Sequence, residues 1–225
     1  MSLKTLFTIG FVLASLGSAY AQQAKERIDS VVVNVQFGSA NKELNQLMSR
    51  VMHIEKLHFE VHNQSLAGKH FHMTYQEYKN GVAEVEKELV EDVNRLMAFD
   101  KQGNFSMDAF SRQVTENSVE NQFLFTNGMT TKVFKPLAGK ADQYSLRSDI
   151  WPYKATHKAA TSDAVETEGQ KFPVGRKVPF LVYTLPYEEK GYLFYCSLAQ
   201  SKVPVSAWFD KFKIAHFVVY NLVVE

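Results

Sequence analysis

The chain has 225 residues, 25 basic and 24 acidic side chains, a formal net charge of +1 and one cysteine. So even a balance argues against nucleic acid, whose recognition shows as a basic footprint. A single thiol excludes an intrachain disulfide framework, so the folded part must be held by its core.

The first 21 residues read as a secretory signal. Lys4 gives a positive start, Leu6 to Leu16 form an apolar run of 11 residues, and Ala19-Tyr20-Ala21 supplies the small-x-small pattern of a cleavage site. Such a run is too short to span about 30 Å of hydrocarbon. The expectation is a protein that starts at Gln22 after processing and works outside the cytoplasm, periplasmic or secreted. No later apolar run is long enough for a membrane span. Intact-mass analysis of the exported protein checks this: loss of residues 1–21 is expected, and a full-length membrane-bound species would contradict it.

Residues 22–225 read as one α+β domain, with a helical part over 39–117 and a β part over 118–225. All six prolines, from Pro136 to Pro204, lie in the second half, which leaves room for long helices in the first. Val31 to Phe37 is β-branched enough for a strand. Ser39 or Asn41 can then cap a helix carrying Leu44, Leu47, Val51, Ile54, Leu57 and Val61 on one face. Thr74-Tyr75-Gln76-Glu77 has the form of a capping box opening a second long helix, with Tyr78, Val82, Val85, Leu89, Val93 and Leu96 in phase. Asn80-Gly81 leaves a second option open, a hairpin turn closing a strand over 70–79. A short third helix from Ser106 completes the expected helical hairpin.

An antiparallel sheet is expected next. Residues 122–135 with Asn127-Gly128 read as a β-hairpin, and Val178 to Leu185 and Tyr192 to Leu198 as further strands. The second of these carries Cys196 as a buried, inert thiol. Ser206 to Phe212 reads as a helical turn, and Lys213 to Val224, apolar on both faces, as a central strand. Gly139 to Lys177 has little periodicity and reads as a long irregular connection.

Three constellations carry functional hypotheses. Five of the seven histidines fall between His53 and His72. On a helix, Glu55, His58 and His62 share one face, and His70 or His72 could complete a zinc or copper shell, thioethers nearby favouring copper. If the region is a hairpin instead, His58 and His62 share one strand face and His70 and His72 another; the same histidines also suit a solvated polar face. Trp151, Tyr153, Phe172 and Tyr187 lie in or beside irregular stretches and could stack on a small ligand or glycan, or anchor a partner protein, or else fold inward over the sheet. Phe99 to Asn104 begins like a calcium loop, but Phe105 occupies the sharp-turn glycine position and Ser111 that of the bidentate glutamate, which excludes calcium. There is no phosphate loop, nucleophile elbow or zinc-protease helix motif. The reading is therefore an exported, non-catalytic binding module for a ligand or partner protein. A metal-binding protein is one alternative. An enzyme using His157 with Asp149 or Asp163 is the other.

Overall fold

The computed structural model describes residues 30–90, 97–148, 157–159, 167–199 and 201–225, with 157–159, 167–170 and 196–197 described by backbone alone. Two antiparallel sheets make up the architecture. The first has seven strands in the order β10-β11-β1-β2-β6-β7-β8. Their ranges are β1 Ser30–Phe37, β2 Glu55–His62, β6 Asn104–Thr115, β7 Ser118–Phe125, β8 Gly128–Phe134, β10 His157–Ala159 and β11 Thr167–Pro173. The second runs β4-β3-β15-β12-β9, with β5 also paired to β3. Here β3 is Phe71–Lys79, β4 Val82–Ala83, β5 Lys87–Glu88, β9 Ser145–Arg147, β12 Val178–Thr184 and β15 His216–Val224. A separate hairpin joins β13, Tyr187–Glu189, to β14, Tyr192–Phe194.

The expected helical hairpin does not form. Only a short helix α1, Lys42–Gln46, and a π-helical turn over Leu47–Val51 occupy the start of its first arm. Leu44, Leu47 and Val51, three positions of the expected apolar face, are solvent-exposed. The decisive pattern lies further on. Leu57, Phe59 and Val61 are buried at every second residue, the period of a strand with one face in a core. The expected third helix is replaced in the same way by β6, where Phe105, Met107 and Ala109 point inward.

The second expected helix is β3 and the turn after it. The apparent capping box is instead committed across the sheet: Thr74 donates to Glu86, and Glu77 pairs with His216 of β15. Asn80 and Gly81 both have positive φ, at 51° and 82°, and close a two-residue hairpin between Lys79 and Val82. This is the conformation that Asn-Gly serves best. The expected hairpin near 122–135 is present, although Thr126 and Asn127 form its loop and Gly128 already pairs with Phe125. Within 139–177 the described residues include β9, β10 and β11, which a reading by composition misses because two of these strands are only three residues long. Residues Tyr192–Leu198 divide between β14 and a helix α2, Cys196–Ala199; the Cys196 side chain lies outside the described residues. The helical turn expected at 206–212 is a 3₁₀ turn, Val205–Ala207, running into α3, Trp208–Phe212.

The sheets pack face to face through aromatic pairs. Phe59 meets Phe180 with ring centroids 4.7 Å apart, Phe71 meets Phe105 at 4.5 Å, and Phe123 meets Tyr220 at 4.9 Å. Strand β15 lies between β3 and β12 and is buried on both faces, as its unbroken apolar run suggests. The calcium-like stretch is a tight polar turn into β6. Asp100 accepts from the backbone N–H of Gln102 and of Asn104, both at 2.8 Å. Gly103 there has φ +75°, and a Cβ would stand 1.9 Å from the Asn63 carbonyl oxygen, so only glycine fits. No helix among the described residues is long and apolar enough to cross a membrane.

Candidate functional site

Antiparallel register places residues directly opposite one another on the same face of a sheet, about 4.5–5.5 Å apart. One such row crosses the inner face of the first sheet: Lys132 of β8, Asn121 of β7, Ser111 of β6 and Glu55 of β2. The neighbouring inward positions Val119, Phe123, Ala109 and Leu57 are apolar and buried. A polar row has thus been set into the core face of the sheet.

Each member has a distinct state. The Glu55 carboxylate accepts from Ser111 Oγ at 3.0 Å, from the Leu146 backbone N–H at 2.6 Å and from Ser145 Oγ, with Arg147 at 3.6 Å. The Lys132 ammonium lies 5.3 Å from the centre of the Tyr75 ring. Asn121 is completely buried, and neither its Oδ1 nor its Nδ2 has a hydrogen-bond partner among the described residues. Leaving a buried polar group unsatisfied costs about 1–3 kcal/mol.

The second sheet answers with phenols. Tyr220 projects from β15 onto Phe123, fully buried, and its hydroxyl is also unpartnered among the described residues. Tyr183 of β12 is buried beside Tyr144, their ring centroids 5.2 Å apart. Burial pushes the Tyr144 pKa up to about 12, against the Leu137 N–H bond and with the Glu77 charge adding. Burial likewise pushes Tyr183 and Tyr220 well above the ordinary phenol range, with Glu55 adding at Tyr183 and Glu77 at Tyr220. These hydroxyls therefore stay protonated and able to donate.

A carboxylate–imidazole–phenol chain closes one end of this interior. Tyr144 Oη accepts the Leu137 N–H at 3.0 Å and shares a hydrogen bond with His216 Nδ1, while His216 Nε2 faces Glu77 Oε1 at 2.8 Å. Burial works to raise the Glu77 pKa, but hydrogen bonds from His216 and Lys79 outweigh it and hold it at about 2. An ionised Glu77 only accepts, so His216 Nε2–H donates to it. The chain ties β3, β15 and the segment before β9 together.

A linkage prediction follows from Glu77. Its folded pKa lies below the ordinary 4.5, so its contribution is complete above pH 4.5 and is lost as pH falls through about 2. Urea unfolding of wild type and Glu77→Gln should differ by roughly 2–3 kcal/mol near pH 6, and the gap should shrink below pH 4.5 and close as pH falls to about 2. A gap independent of pH would show that the Glu77 charge is not involved.

The mouth of this interior is a cavity of about 450 Å³, lined by residues that include His53, Glu55, Ser111, Gln113, Asp142, Tyr144 and Tyr183. Arg112, also at the rim, holds Glu120 through Nε and Nη2, each at 3.0 Å.

The structure disperses the residues expected to ligate metal. Glu55 faces inward at the cavity, whereas His58 and His62 lie on the outer face of β2. His58 bonds Asp108 at 2.7 Å and Glu60 at 2.9 Å, and His62 bonds Asn104 at 3.0 Å. The Asp108 bond, with Glu60 adding, raises the His58 pKa against burial. His70 forms an isolated bridge with Ala98, and His72 lies on β3 of the other sheet, bonded to Glu88. Among the described residues no group of three or more His, Cys, Asp or Glu side chains is arranged to hold a metal ion. The helical spacing that suggested a common face does not exist in a strand, where Glu55 and His58 point to opposite sides.

Of the aromatic candidates, Phe172 is buried against Phe180 at 5.5 Å. Tyr187 lies between Phe194 and Phe212, at 5.3 and 5.0 Å, and lines a groove of about 540 Å³ with Leu185, Leu193 and Ile214. Trp151 and Tyr153 lie outside the described residues, as do Asp149 and Asp163, and His157 is described by backbone alone. Asn121, Gln113 and Tyr220 are not singled out by sequence, and Ser111 only as a departure from a calcium loop. A polar residue in a strand is unremarkable until register shows that it points into the core.

Comparisons with protein-family models, curated proteins and solved structures find no match for this chain.

Proposed function

We propose that this is an exported, non-catalytic binding protein that takes a small ligand between its two sheets, through the cavity bounded by Glu55, Gln113, Asp142 and Tyr144. The export half of the reading rests on the n-region, apolar run and Ala19-Tyr20-Ala21 site of the first 21 residues. The observation that carries the binding half is the cavity together with two fully buried polar groups that have no hydrogen-bond partner among the described residues: Asn121, opposite the lining residue Ser111, and the Tyr220 hydroxyl. Both weaken the fold, and departures from good core chemistry concentrate where a protein does its work. A ligand contributing hydrogen bonds there offsets that cost in the bound state.

The exposed groove beside Tyr187 is the competing location. Screening a fragment library by ligand-observed NMR separates the two. Gln113→Trp fills the cavity mouth from an exposed position, and Tyr187→Ala opens the groove wall. Hits on wild type should vanish in Gln113→Trp and persist in Tyr187→Ala; the reverse pattern, or no hits at all, would overturn the assignment.

A further inference from the structure

We infer that the ligand is a polyhydroxylated ring of about monosaccharide size that carries no negative charge. This deepens the binding reading above and rests on it.

Glu55 is met by three donors with Arg147 beside it, Arg112 is held by Glu120, and Glu77 is held by Lys79 at 2.9 Å and by His216. These fixed charges are therefore matched, and the exposed Asp142 carboxylate at the rim is the exception. An anionic ligand would have to break one of these pairs or meet Asp142 without a partner of its own.

The other polar groups here suit hydroxyls. Gln113 lines the cavity and presents an amide that donates and accepts, and Asn121, fully buried opposite Ser111 in register, holds a second amide behind the lining. The Tyr220 hydroxyl is unpartnered among the described residues. Asp142, exposed at the rim, presents a carboxylate that can accept from two adjacent hydroxyls. Hydroxyl groups suit this set best, because each one donates and accepts at a single atom.

The apolar part of the wall supplies the other half of the chemistry. The Tyr144 and Tyr183 rings, inclined at 32° to each other, give aromatic surface against which the C–H face of a saturated ring can pack. At about 450 Å³ the cavity lies towards the small end of ligand sites, which run from about 300 to 1,000 Å³.

The test is isothermal titration of the full processed protein with glucose, galactose, mannose, xylose, N-acetylglucosamine and myo-inositol. Glucuronate serves as an anionic probe of matched size. At least one neutral compound should bind at one-to-one stoichiometry. It should bind at least tenfold more tightly than glucuronate, and at least tenfold more weakly to Gln113→Ala. Tighter binding of glucuronate, or fragment hits at the cavity with no neutral sugar or polyol binding, would overturn the ligand class while leaving the binding reading intact. Loss of every interaction at the cavity would overturn both.

Discussion

Replacing Phe59 with alanine is expected to destabilise the protein by about 3–5 kcal/mol, the largest effect of any single truncation considered. Phe59 is 1% exposed, projects from the second strand of the first sheet, and packs on Phe180 of the opposite sheet. Removing the ring deletes buried area and leaves a cavity between two sheets that cannot collapse without shifting their aromatic pairs. Leu44→Ala is the control. Leu44 is 46% exposed, so that change should stay within about 0.5 kcal/mol. Urea unfolding of both variants distinguishes the sandwich from a helical hairpin. In a hairpin, Leu44 would be a core position and Phe59 would not face another sheet.

Replacing Asn121 with leucine should act in the opposite sense. The side chain is completely buried and both amide atoms lack partners among the described residues, so an apolar residue of similar volume removes a desolvation penalty of about 1–3 kcal/mol. The variant should be more stable than wild type by roughly 1–2 kcal/mol, and Tyr220→Phe should shift stability in the same direction. Both should lose affinity for whatever enters between the sheets. A gain in stability bought with lost function is the expected behaviour of residues retained for binding. If Asn121→Leu instead destabilises the protein and leaves binding intact, the amide has a structural role.

The legible part of the fold was the part with two-residue periodicity or buried continuity. Val31 to Val35, Val178 to Thr184 and Phe217 to Val224 are strands in both sequence and structure. The helical misreading has a specific cause. Leu44, Leu47, Val51, Ile54, Leu57 and Val61 fall at three- and four-residue steps only because a short helix and a strand are joined there in a compatible phase. Phe59, off that helical face, is the residue that reveals the alternation. Thr74 to Glu77 matched a capping box through residue types that serve cross-strand partners equally well. Only Asn80-Gly81 marked the true hairpin.

The site was harder to see for a related reason. Ser111, Asn121 and Lys132 are separated by about ten residues each, and nothing local links them. They become one row only when β6, β7 and β8 are paired in register. The histidine cluster shows the converse. Residues close in sequence were spread over two sheets and both faces of one strand, because side chains alternate along a strand.

The most direct measurement is the NMR response of the Asn121 side-chain amide, assigned by comparison with Asn121→Leu, as a neutral sugar that binds is titrated in. The Asn121 and Gln113 side-chain amide signals should shift together and saturate at one equivalent. Signals that stay fixed while Leu193 and Ile214 in the Tyr187 groove move would place the ligand elsewhere and contradict a binding site between the sheets.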